Sequence, residues 1–73
     1  MFIFNEHLKA IRQSKNITQK QIATAIGLSE SNYQLFEYGK FKPSFYTLIA
    51  LADYFNVSID FLVGRTENPK INK

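Results

Sequence analysis

Thr18-Gln19-Lys20-Gln21-Ile22-Ala23-Thr24-Ala25-Ile26-Gly27-Leu28-Ser29-Glu30-Ser31-Asn32-Tyr33-Gln34-Leu35-Phe36-Glu37 is the stretch whose reading decides the fold. It contains two short helical segments, each opened by a residue whose side-chain oxygen can cap a helix, with a glycine between them. Thr18 and Gln21 have the spacing of a capping box: the threonine hydroxyl accepts from the backbone of Gln21, and the glutamine side chain reaches back to the Thr18 amide. Ile22, Ala23 and Ile26 then share a buried face, Ala23 being small enough to admit a neighbouring helix. Gly27 suits the positive φ that ends such a helix, Leu28 anchors the turn, and Ser29 caps the next segment. There Tyr33 and Phe36 point inward and Gly39 stops the helix. Residues 18–38 thus read as a helix-turn-helix.

Upstream, Phe4, Leu8 and Ile11 recur at helical spacing, so a first helix runs to about Ser14. Asn5 is its expected N-cap, Glu6 suits the helix dipole, and Phe4 is expected to fold back as a hydrophobic staple, with Phe2 and Ile3 at the core edge. His7, the one histidine, is expected to be solvated. Asn16 suits a left-handed helix end, after which Ile17 returns to the core. Downstream, Lys40-Phe41-Lys42-Pro43 is a loop and Ser44 a cap. Phe45, Leu48, Ile49, Ala52 and Phe55 form the apolar face of a fourth helix. Asn56 ends it, Val57 packs inward, and Ser58 caps a short fifth helix, Ile59–Val63, stopped by Gly64. The expectation is one all-α domain over residues 4–64, a compact five-helix bundle, followed by a polar, mobile tail over residues 65–73.

Composition supports a small domain that folds by packing alone. Of 73 residues 45% are apolar and seven are phenylalanine, while cysteine is absent. One histidine and no cysteine leave no metal site of the usual kind, and no cofactor is expected. The scattered carboxylates offer no nucleophile and base at plausible spacing, so an enzyme is not expected. No apolar run approaches the ~20 residues that span a bilayer, so no membrane partner is expected and the expected location is the cytoplasm. The net charge of +3 favours an acidic partner, nucleic acid above all for a domain of this size.

The outward face of the second helix-turn-helix segment carries Glu30, Ser31, Gln34 and Leu35, with Asn32 and Tyr38 at its margins. A face that needs only solvation would be rich in lysine and glutamate; this one offers hydroxyls, amides and one exposed leucine. Amides pair with adenine edges and aliphatic groups touch thymine methyls, so these groups suit double-stranded DNA.

Leu8-Lys9-Ala10-Ile11-Arg12, Thr18-Gln19-Lys20-Gln21-Ile22-Ala23 and Gly27-Leu28-Ser29 are followed in order by Phe36-Glu37-Tyr38-Gly39-Lys40 and Lys42-Pro43-Ser44. Leu48-Ile49-Ala50-Leu51-Ala52 and Asn56-Val57-Ser58-Ile59-Asp60-Phe61-Leu62 complete the series. In this order and spacing the chain resembles the Cro and lambda-repressor family of DNA-binding domains, also called the XRE type. The resemblance implies a lambda-repressor-like five-helix bundle that binds a two-fold operator as a homodimer, its third helix in the major groove. It implies that Gln19 holds a phosphate; that Ser29, Glu30, Ser31, Gln34 and Leu35 face bases or the adjoining backbone; and that Asn32, Lys40 and Lys42 follow the flanking phosphates. It also implies a structural ion pair between Arg12 and Glu37.

Two departures stand out. The third helix has no basic residue and begins with Glu30, which either stabilises the helix N-terminus or accepts from a cytosine amino group. Tyr33 and Phe36 are bulky where smaller aliphatics are frequent, and packing is their expected use. The implied activity is transcriptional regulation, most simply repression. The alternative is a protein-interaction module, such as the antitoxin of a toxin–antitoxin pair, offering Phe2, Ile3, Phe41 and Phe61 to a protein partner. The expected dimer surface lies near Phe41, Phe55 and Phe61 with the tail.

Overall fold

The computed structural model describes residues 1–71, so the last two positions of the expected tail, Asn72 and Lys73, lie outside it. Five helices follow one another, α1 Phe4–Ser14, α2 Gln19–Ala25, α3 Glu30–Glu37, α4 Phe45–Phe55 and α5 Ile59–Leu62, with no strand among the described residues. The expected all-α, five-helix architecture is what forms.

Four of the five helices start where a serine or threonine caps them. Thr18 Oγ1 accepts from the Gln21 amide at 3.0 Å while Gln21 Oε1 accepts from the Thr18 amide at 2.8 Å, completing the capping box. Ser29, Ser44 and Ser58 accept from the amides three residues on, at 3.1, 3.3 and 3.0 Å. Asn16 and Asn56 take φ of 58° and 56°, the left-handed conformation asparagine tolerates best among side chains bearing a Cβ.

The start of α1 differs from expectation. Its N-cap is Ile3, with no side-chain cap, and Asn5 already lies in the first turn. The Asn5 amide instead donates to the Glu37 carbonyl at 3.3 Å, serving one of the carbonyls left open at the end of α3. Phe4 is therefore the first helical residue, half-buried against the core, and not a staple ahead of a cap. His7 is not solvated. Its Nε2–H donates to the Phe61 carbonyl at 2.8 Å, and its ring stands edge-on between Phe2 and Phe61, with centroids 5.1 and 5.0 Å away.

Leu8, Ile11, Ile22, Ala23, Tyr33, Leu51, Ala52, Phe55, Val57 and Leu62 form one core. On α4 the buried face is Leu51, Ala52 and Phe55 with Leu48 at its border, while Phe45 is 66% exposed. Leu48, Leu51, Ala52 and Phe55 are the i, i+3, i+4, i+7 set, so the face turns away from Phe45 and takes up Leu51 instead. Phe55, placed by expectation at a dimer surface, is 1% exposed and cannot supply one.

The segment after α5 folds back on the bundle. Arg65 N–H donates to the Asp60 carbonyl at 2.7 Å, and Ser58 N–H donates to the Pro69 carbonyl at 2.9 Å. Ile71 closes a groove of about 310 Å³ that it shares with Ala52, Val57 and Ile59. Within the expected polar tail, Arg65 and Pro69 thus make backbone hydrogen bonds to the α4–α5 region.

Candidate nucleic-acid interface

The two helices of the expected reading head meet through a buried polar cluster. Arg12, on α1, donates from Nε to Glu37 Oε2 at 2.6 Å and from Nη2 to Oε1 at 3.1 Å, while its Nη1 holds the Ile17 carbonyl at 2.8 Å. The ion pair expected from the resemblance is present, and it links α1, the α1–α2 loop and the end of α3. Tyr33, one helical turn before Glu37, donates its hydroxyl to Oε2 at 2.5 Å. Gln19, the first residue of α2, donates from Nε2 to Oε1 at 3.0 Å. Four donors thus fill a carboxylate with about four lone-pair sites.

These contacts decide the charge states. Burial pushes the Glu37 carboxyl up, but hydrogen bonds from Arg12, Tyr33 and Gln19 outweigh it and hold the group below the usual carboxylate range. The bond to Glu37 raises the Arg12 guanidinium. The Tyr33 phenol is pushed up by burial first and then by the neighbouring carboxylate, so it remains a donor. No buried side-chain nitrogen or oxygen lacks a partner among the described residues. Desolvating a buried ion pair is costly, and here that cost is offset in part because each guanidinium nitrogen of Arg12 and each carboxylate oxygen of Glu37 has a hydrogen-bond partner.

Gln19 extends the cluster outward. Its Oε1 accepts from Gln34 Nε2 at 3.0 Å, so an unbroken run of hydrogen bonds leads from Arg12 through Glu37 and Gln19 to a half-buried amide on α3. Gln19 is itself half-buried, with its amide oxygen and one of its two N–H groups engaged in these bonds. Ser29, Glu30, Ser31 and Asn32 are exposed along the first turn of α3, and Ser29 spends its hydroxyl on the Asn32 amide. Leu35 is half-buried, not the exposed leucine expected. Lys20, Lys40 and Lys42 are exposed. The Lys40 and Phe41 amides both donate to the Leu35 carbonyl, at 2.9 and 3.3 Å, which ties the α3–α4 loop to the helix end.

Tyr33 and Asn5 are the residues that motif reading undervalued. The signal for Tyr33 was present, because Tyr33 and Glu37 stand i, i+4 on one helix and such pairs meet. No local pattern marks Asn5, whose partner is 32 residues away.

A helix-turn-helix family model matches residues 8–62. The chain belongs to the XRE-type helix-turn-helix family. Within it, the chain is 33% identical over 69 residues to the uncharacterized HTH-type transcriptional regulator YqaE of Bacillus subtilis, covering 94% of this chain and 60% of that protein. It is 40% identical over 60 residues to the cryptic phage CTXphi transcriptional repressor RstR of Vibrio cholerae, covering 82% of this chain and 54% of that one. Among solved structures, a transcriptional regulator from Listeria innocua superposes with a TM-score of 0.79 at 34% identity, over 85% of this chain and 58% of that one. The match to this XRE-type domain is nearly complete on one side and partial on the other: the chain spans little more than half the length of these relatives.

Proposed function

We propose that this chain is the DNA-binding domain of a transcriptional regulator, a repressor that occupies a two-fold operator as a homodimer with α3 in the major groove. The single observation that carries this reading is the α3 face. Exposed Glu30, Ser31 and Asn32 and the half-buried amide of Gln34 lie on a helix whose back is fixed by the Arg12–Glu37 pair, and Lys40 and Lys42 are exposed in the following loop. Amides and hydroxyls on a rigid helix read base edges, and lysines beside them engage phosphates. Relatives named as transcriptional regulators and as a repressor support the same reading. Such a domain acts where the chromosome is, in the cytoplasm.

Homodimer formation follows from reach, since one short recognition helix spans too few base pairs to select a site alone. A second reading, a module that holds a protein partner as an antitoxin does, is favoured by Phe41, Phe45 and Tyr46, which are 62, 66 and 81% exposed. Selection of bound DNA from a random library, followed by fluorescence anisotropy on the winning site, tests the leading reading. An enriched two-fold sequence bound far more tightly than random DNA supports it, and enrichment of no sequence overturns it.

A further inference from the structure

We infer that the buried carboxylate of Glu37 sets the direction of the Gln34 amide through Gln19, so that α3 presents a fixed acceptor-and-donor edge suited to adenine. The inference deepens the proposed reading of α3 as a base-reading helix and rests on it.

An isolated glutamine amide is ambiguous, because its oxygen and nitrogen ends are alike in size and exchange by rotation about the last side-chain bond. An ionised carboxylate removes the ambiguity, since it accepts and never donates. Held by Arg12 at both oxygens, Glu37 stays ionised, and only the nitrogen end of Gln19 can face it, at 3.0 Å. The oxygen of Gln19 must then face Gln34, and only the nitrogen end of Gln34 can answer it, again at 3.0 Å. Every donor in the series points toward the core. Tyr33 belongs to the same device: its hydroxyl fills Oε2 beside Arg12 Nε, leaving Gln19 as the partner of Oε1 beside Arg12 Nη2.

Among the described residues, the Gln34 oxygen and its second N–H make no hydrogen bond. Adenine offers a donor, N6–H, beside an acceptor, N7, and that pair matches. Guanine offers two acceptors, and the Gln34 oxygen would stand against one of them. The reversed amide would set its oxygen against adenine N7 and its N–H against N6–H, so locking the direction preserves adenine and excludes the reverse register. Glu37, Tyr33 and Gln19 are therefore positioning residues for base choice, although two of them are buried and none need touch a base.

The test compares base preference at one operator position. Selection from a random library by the parent chain and by Gln34→Ala identifies the position that depends on Gln34. Gln19→Met keeps the side-chain bulk and removes both hydrogen bonds. The expected result is a roughly tenfold loss of preference at that position, with preferences elsewhere retained. Gln19→Met that keeps the parental ratio there overturns the inference, whatever happens to overall affinity. A parent that selects no sequence overturns the reading and the inference together, whereas a selective parent with an unaffected variant overturns the inference alone. Should Gln19→Met fail to fold, side-chain amide exchange in the free parent decides. One Gln34 Nε2 proton exchanging much more slowly than those of exposed Gln13 supports the relay, and equal rates overturn it.

Discussion

The Tyr33 hydroxyl donates to Glu37 Oε2 at 2.5 Å from one turn earlier on the same helix, and neither residue is more than 6% exposed. A helix of eight residues such as α3 has little stability of its own, so its angle to the bundle depends on what holds its inner face. Here that face ends in a carboxylate bound by three elements: Arg12 from α1, Gln19 from α2 and Tyr33 from α3 itself. These bonds are directional, so the cluster ties α1, α2 and α3 together at one carboxylate.

Removing only the hydroxyl tests this relationship. Tyr33→Phe keeps the ring in the core and leaves a lone pair of Glu37 unanswered, which should cost about 1–3 kcal/mol in urea denaturation. The pH dependence follows in sign. The folded-state phenol is held above its ordinary value, so its contribution is complete below about pH 10 and is lost as pH rises through the folded value. The parent should therefore lose stability in alkali by a component that Tyr33→Phe lacks.

Glu37 acts at the other end of the scale. Its folded-state carboxyl is held below the ordinary range, so its stabilisation is present above about pH 4.3 and disappears as pH falls through the lower folded value. Glu37→Gln should be less stable than the parent at neutral pH and should show a shallower acid limb. Glu37→Ala, which leaves Arg12 buried and unpaired, should cost about 3–5 kcal/mol, enough to unfold a domain this small. Thermal melts between pH 3 and 7 measure both.

Gly64 gives a separate test of the N-terminal segment. Its φ is +82°, and a Cβ there would run into the ring of Phe2. Gly64→Ala should cost about 1–2 kcal/mol for the left-handed backbone alone, and more because the ring must move. In a Phe2→Ala background the extra cost should vanish. A double-mutant cycle by urea denaturation should give a coupling of roughly 0.5 kcal/mol or more, and a coupling of zero would show that Phe2 moves aside freely.

DNA binding separates base reading from phosphate attraction on the proposed interface. Gln34→Ala should lose about 1–3 kcal/mol on the preferred site and little on random DNA. Lys42→Ala should weaken all sequences alike and reduce the slope of log affinity against log salt by roughly 0.9, the value for one neutralised phosphate. Because α3 has no basic residue, the parental slope should itself be shallow. Anisotropy titrations over a range of salt concentrations distinguish these outcomes.

Much of the fold was legible along the chain, because caps and helix stops act over three or four residues. Thr18, Ser29, Ser44 and Ser58 start helices where their spacing says they should, and Asn16, Gly27, Gly39, Asn56 and Gly64 end them in positive φ. The Arg12–Glu37 pair came from family resemblance and is present. Tertiary contact alone decided which side of a side chain the bundle uses. Asn5 looked like a cap and became a tie to α3, His7 looked solvated and became a donor between two aromatic rings, and the tail found a carbonyl for the Ser58 amide. Gln19 and Gln34 show the same limit at the site. Local pattern put Gln34 on the outward face of α3 and the family resemblance singled out Gln19, but only the tertiary structure brings the Glu37 carboxylate to Gln19 and Gln19 to Gln34.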